Sequence, residues 1–189
     1  MQKWILFFIY KFNVDEESRL KNLFLAYSTL RMDYACFGDV LAFDTTYRTN
    51  AYKKPLVMLV GVNHHHQTMV FGSALLIDES VGTYELVLET FLIAMMNKKP
   101  ISVVTDGNKT MRKAIKKVLS DVCHRLCSWH LQRNACTNVH IKDFKSIFAR
   151  CMFMRGSAEE FEKVWHEMVE KLGVNGNRWV IEIHEKCKR

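Results

Sequence analysis

At 189 residues, about half of them hydrophobic, the chain has the length of one domain, or one domain with part of another, and enough apolar side chains for a packed core. A net charge of +7 and a pI near 9.1 favour a polyanionic partner such as nucleic acid over an acidic one, although a generally basic surface gives the same sum. Six irregularly spaced cysteines speak against a disulfide framework and for a reduced compartment, scarce proline speaks against disorder, and no apolar run approaches the roughly 20 residues that span a bilayer.

Residues 4–13 read as one buried strand rather than a signal segment, because the apolar run is brief and Lys11 through Arg19 is highly charged. Asp15 to Ser18 reads as a turn. From Leu20 to Tyr34 two readings stay open: Leu20, Leu23, Phe24 and Tyr27 suit a helix, and Leu23 to Tyr27 also suits a strand. A strand is expected over about 39–47, a second over Leu56–Val62, a tight link at Asn63–Gln67, and a third strand from Thr68 to Ile77. Short links between three successive strands predict an antiparallel meander.

Thr83 is then expected to cap a helix whose Tyr84, Val87, Leu88, Phe91, Leu92 and Met95 make one apolar stripe. Ile101 to Thr105 is apolar in its middle, as a central strand would be. After Asp106-Gly107-Asn108 a second helix buries Met111, Ala114, Ile115, Val118 and Leu119, and leaves Lys109, Arg112, Lys113, Lys116 and Lys117 on its other faces. Cys123 to Trp129 reads as a fifth strand with Trp129 in the core. Everything after His130 reads as helical. Ser157 and Glu160 form a capping box ahead of a helix that buries Phe161, Val164, Trp165, Met168, Val169 and Leu172 and stops at Gly173. The fold class is therefore α/β: an RNase H-like mixed sheet, antiparallel strands first and parallel strands with helices after, followed by the start of an all-α insertion.

Two apolar runs end in a single acid, Val40 to Phe43 at Asp44 and Val103 to Thr105 at Asp106. In this topology they lie on neighbouring strands, where two carboxylates can hold the hard divalent cations that phosphodiester chemistry uses. The ordinary reading is that Asp106-Gly107 is a turn and Asp44 caps a bend. His64-His65-His66 sits in a hairpin link, where successive side chains diverge, so a solvated loop is the simpler reading than a chelate. Cys127 and His130, with Cys123 and His124 upstream, offer zinc-type ligands, but a zinc site needs four, and Cys136 and His140 lie on helix. The cationic face at Lys109, Arg112, Lys113, Lys116 and Lys117 suits phosphate contact and equally suits a solvated helix face. No nucleophile elbow, phosphate-cradling glycine loop or dinucleotide fingerprint is present.

Phe37-Gly38-Asp39-Val40, Phe43-Asp44-Thr45-Thr46-Tyr47-Arg48-Thr49-Asn50, Gly61-Val62-Asn63-His64-His65, Phe71-Gly72-Ser73-Ala74-Leu75-Leu76, Thr105-Asp106 and His124-Arg125-Leu126-Cys127-Ser128-Trp129-His130-Leu131 together resemble the Mutator-like (MULE) transposase domain. Within it they resemble most the plant far-red-impaired-response / far-red-elongated-hypocotyl family of domesticated transposases, over about residues 7–185. The resemblance implies an acidic triad with Asp44 as its first member and Asp106 as its second, a possible Mg²⁺ or Mn²⁺ between them, and a C-x-x-H element at Cys127 and His130. The third acid of that family, a glutamate in a Ser-Glu-Ser-like context, has no match here. Glu160, Glu167 and Glu182 fall on helices of the insertion and are poor substitutes. Leu25-Ala26-Tyr27 stands where the family commonly has Trp-Ala-Asp, and Gly107 where it often has Gln.

The implied layout is a lead-in over 1–38, a core with the first two acids over 39–130, and a helical insertion over 131–189 that stops short of the third acid. The family's zinc-finger and SWIM domains have no counterpart, which implies a fragment, a truncated reading frame or a degenerate copy. The function implied is a nuclear, DNA-associated transcriptional regulator without catalysis. Its DNA binding would be weak and non-specific, with a homo- or heterodimer of family members as a further partner and no membrane. The rival readings are a fragment of an active DNA transposase and a protein interaction module without DNA contact.

Overall fold

The computed structural model describes residues 2–5, 8–46 and 50–187. Tyr47, Arg48 and Thr49 of the motif after Asp44, like Leu6 and Phe7, lie outside the described residues. Two compact units divide the chain, residues 1–126 and 127–189.

In the first unit the described strands are β1 (Gln2–Ile5), β2 (Phe8–Val14), β3 (Leu20–Tyr27), β4 (Val40–Thr46), β5 (Leu56–Val62), β6 (Thr68–Leu75), β7 (Ser102–Thr105) and β8 (Cys123–Leu126). The helices are α1 (Leu30–Phe37), α2 (Val81–Ala94) and α3 (Lys109–Val118). One sheet runs in the order β1-β2-β3-β6-β5-β4-β7-β8. Its second half, β6-β5-β4-β7-β8, is the RNase H-like arrangement: β5 is antiparallel to both neighbours, and β4, β7 and β8 are mutually parallel. Within the lead-in expected over 1–38, strands β1, β2 and β3 extend this sheet, because β3 pairs antiparallel with β6.

Where the chain departs from the expected elements, the reason is local. Residues 4–13 are not one strand, since β1 and β2 pair antiparallel as a hairpin with Trp4 opposite Ile9. The ambiguous stretch from Leu20 resolves as strand: Leu20, Leu23, Phe24 and Tyr27, which also suited a helix, all lie on β3, and helix α1 begins only at Leu30. Ser80, not Thr83, is the N-cap of α2: its extended backbone leaves its hydroxyl to accept from the Thr83 N–H at 3.3 Å. Thr83 is already in the first helical turn and donates to Asp78 at 2.7 Å.

The helices cover one face of the sheet. There Ile9, Phe24, Leu41, Phe43, Val57, Leu59, Phe71 and Val103 pack against Tyr34 of α1, Tyr84, Leu88 and Phe91 of α2, and Met111 and Ile115 of α3, all essentially fully buried. Tyr34 meets Phe71 and Phe91 edge-on at 5.0 and 5.1 Å. Each such side chain contributes roughly 1.5–3 kcal/mol by leaving water. The pleat sends the alternate residues to the opposite face. Leu25, Tyr27, Val40, Val62 and Val70 there are exposed.

The second unit holds α4 (Ser128–Asn138), α5 (Phe144–Phe153), α6 (Ala158–Leu172) and α7 (Arg178–Cys187). Its own core gathers Phe144, Phe148, Cys151, Trp165, Met168, Val180 and Ile183. The Ser157–Glu160 capping box forms, and Gly173 ends α6 in the left-handed region at φ +62°.

Candidate acidic and nucleic-acid-binding site

Asp44 sits on β4 opposite Met58 of β5 and is exposed. Its Oδ1 accepts the N–H of Thr45 at 2.8 Å. Asp106 directly follows β7 and is half-buried. Its Oδ1 accepts the Asn108 N–H at 2.8 Å, and the Asn108 side chain in turn caps α3 by accepting from Thr110 N at 2.8 Å. This Asx turn followed by a cap takes the chain straight from strand to helix.

Parallel pairing sets the two acids level. Val40 pairs with Ser102, Leu41 with Val103 and Ala42 with Val104. Continued by one pleat, this register sets Asp44 on one strand beside Asp106 just past the end of the other, on strands about 4.8 Å apart. Asp44 lies on the face opposite the helices, since Leu41 and Phe43 beside it point into the core, and Asp106 follows the buried Thr105 one residue past the end of β7.

Behind the acids lies a polar layer at the edge of the core. The buried Thr105 hydroxyl accepts the Gly107 N–H at 3.1 Å and bonds His124 Nε2 at 2.8 Å. Burial, and then the Arg112 guanidinium, hold the His124 imidazole below its ordinary value against the opposing pull of Asp106. On the other side the Tyr84 hydroxyl lies 3.2 Å from Thr45 Oγ1 and donates to Glu79 at 2.8 Å. Burial first, and then Glu79 and Asp106, push this phenol well above its ordinary value, while its bond to Thr45 works the other way. Sequence reasoning missed Glu79, and it counted Tyr84 only as one residue of an apolar stripe. No periodicity marks a carboxylate on the β6–α2 connection that reaches a neighbouring strand's end.

Among the described residues no three His, Cys, Asp or Glu side chains are grouped to hold a metal ion. The carboxylate pair, Asp44 exposed and Asp106 half-buried, offers hard oxygen donors only, which fits a Mg²⁺-type ion that keeps most of its waters and takes one or two carboxylates, and does not fit zinc. Cys127 is the N-cap of α4, and His130 lies in that helix's first turn with a buried Nδ1 that has no hydrogen-bond partner. Cys136 and His140 are exposed, and among the described residues no four-ligand set forms around the C-x-x-H element. His64, His65 and His66 are exposed in the β5–β6 turn, which Asn63 closes by accepting from the N–H of His65 and Gln67. Trp129 corrects the expectation of a core residue. Strand β8 ends at Leu126, so Trp129 enters the first turn of a helix and is 60% exposed, whereas Ala135 of that helix is buried.

The cations of α3 behave as a surface. Lys109, Lys113, Lys116 and Lys117 are exposed and Arg112 is half-buried. Lys117 pairs with Glu85 at 2.6 Å. Lys109, Lys113 and Lys116 begin directly beyond the Asp106 turn.

Residues 40–134 match the MULE transposase domain family. Across 94% of its length the chain is 36% identical to FAR-RED IMPAIRED RESPONSE 1 and 34% identical to FAR1-RELATED SEQUENCE 5, both of Arabidopsis thaliana. It is 33% identical to FAR1-RELATED SEQUENCE 11 of the same plant over 92%. The chain spans 22%, 23% and 26% of those three relatives, about a quarter of their length. Among solved structures it is similar to the HTLV-2 integrase catalytic core domain in complex with magnesium, at 12% identity and a TM-score of 0.29, over 69% of this chain and 81% of that one. With one acid on the first strand of an RNase H-like sheet and a second just past the end of the fourth, and half the chain matching one family, the chain belongs to the MULE transposase domain family.

Proposed function

We propose that this chain is the core of a nuclear, DNA-associated transcriptional regulator descended from a MULE transposase, one that holds DNA without cutting it. The observation that carries the DNA reading is the cationic face of α3, where Lys109, Lys113 and Lys116 stand exposed next to the Asp106 turn. Such a face neutralises phosphates without reading bases, so binding is weak, sequence-independent and steeply salt-dependent. The non-cleaving reading is supported by two of the three glutamates of the helical unit named above, Glu167 being exposed. Glu160 is committed to the Ser157 capping box and Glu182 to Arg178 at 2.9 Å. Asp44 and Asp106 would retain a hydrated Mg²⁺ or Mn²⁺ weakly.

The test is anisotropy of a labelled DNA duplex titrated across a salt series. Replacing Lys109, Lys113 and Lys116 together by Ala should flatten the dependence of log K on log salt by about one unit for each phosphate no longer neutralised. Tight, salt-insensitive binding would contradict the reading. The level placement of Asp44 and Asp106 favours a second reading, an active transposase core. A nicking assay with Mn²⁺ decides between them: cleavage that Asp44→Ala abolishes would replace the regulator by the enzyme.

A further inference from the structure

The helical unit carries a contact surface of its own. Trp129 has left the core and is 60% exposed on the first turn of α4. One turn on, the guanidinium carbon of Arg133 lies 5.5 Å from the centre of the indole ring. Arg133 is exposed, and among the described residues it has no carboxylate partner. The His130 ring meets the indole edge-on at 4.7 Å, its Nδ1 buried and unpartnered. Cys127, the N-cap, makes no side-chain bond to the first-turn N–H groups of α4.

The surrounding sequence points the same way. From Ser128 to Lys142 there is no Asp or Glu, while Arg133, Lys142, His130 and His140 are all present. An exposed Trp with a cation over its ring, in a stretch free of carboxylates, suits the face of a nucleobase better than an aliphatic partner. Base–aromatic stacking accepts any base, and the guanidinium adds attraction to the base plane and to the backbone phosphate. A base in a duplex is stacked on its neighbours and presents no free face. The ligand class is therefore DNA with unpaired bases, either a single strand or a distorted end.

We infer that Trp129 and Arg133 form a stacking platform for an unpaired DNA base, rigidified by the His130 ring. This rests on the reading of the chain as DNA-associated, and adds to it a contact that tells single-stranded from double-stranded DNA.

The experiment measures anisotropy of a labelled oligothymidylate and of a duplex of matched length, with the whole chain, over a salt series. Trp129→Ala should weaken single-strand binding roughly tenfold with little change for duplex, and Trp129→Phe should keep most of the affinity. The loss should persist at high salt, where the α3 contribution has gone, and the salt slope should stay that of the parent chain. Thermal unfolding of Trp129→Ala at the parent's midpoint shows that the fold is intact, as an exposed side chain allows. Equal single-strand binding by Trp129→Ala and the parent overturns the platform, as does an equal loss for single strand and duplex. If the α3 variant loses duplex binding and Trp129→Ala loses nothing, the platform fails and the cationic reading stands. If Trp129-dependent single-strand binding is found without duplex binding, the platform stands and the cationic reading fails. A Trp129 that binds no DNA but docks a protein overturns it as well.

Discussion

Gly107 shows how one residue ties the site to the fold. Its φ is +88°, a region that side chains with a Cβ rarely adopt, and an added Cβ would meet Leu126 Cδ2 at 2.7 Å. The Asp106 turn needs that conformation to bring Asn108 to the start of α3. Gly107→Ala should therefore destabilise the chain by about 1–3 kcal/mol in urea unfolding, far more than a surface Gly→Ala change. His124 makes a second residue-scale case. The folded imidazole binds its proton less readily than the unfolded one, whose ordinary value is 6.5, so below about pH 6.5 the unfolded chain holds more protons. Stability contributed by the neutral His124 is thus present above that pH and lost as pH falls toward the lowered folded value. His124→Gln, which can still bond the Thr105 hydroxyl, should flatten the fall in urea midpoint between about pH 6.5 and 5 relative to the parent chain.

At the scale of elements, the Ser157–Glu160 box closes both ways: Ser157 Oγ accepts from the Glu160 N–H at 3.2 Å, and Glu160 accepts from the Ser157 N–H at 2.7 Å. Ser157→Ala should cost about 1 kcal/mol, seen as a lower unfolding midpoint of the helical signal. This element was legible in the sequence because its signals are contiguous: cap, box, apolar period and terminal glycine. The β4 to α3 succession was legible for the same reason, with each run closed by an acid or a polar turn. Other features were not, and each miss has a physical cause. Ser80 and Thr83 are both good cap residues, and only the extended backbone of Ser80 decides between them. Cys123 to Trp129 reads as one short strand, and the helix that starts at Ser128 cuts that run off before Trp129. The level placement of Asp44 and Asp106 depends on strand register, which tertiary pairing sets. The approach of Glu79 to Thr45 through Tyr84 depends on a connection folding back across the sheet, which no local pattern records.

Over the whole molecule, pairing ranges very unequally along the chain. The β1–β2, β2–β3 and β5–β6 pairs join segments that are neighbours in sequence, whereas β4 meets β7 by bringing Val40 beside Ser102. Closing so long a loop carries an entropy penalty before its pairing offsets it, and pairing of distant segments is the slow part of folding. Pulse-labelled hydrogen exchange during refolding should find the β5 and β6 amides protected before those of β7, and simultaneous protection would contradict this order. The register between β4 and β7 that sets Asp44 level with Asp106 is thus made late. Until that loop closes the chain has two isolated carboxylates and no acidic pair, so any affinity for a divalent ion arises only in the finished sheet, and a bound ion would favour the folded chain over every hairpin intermediate.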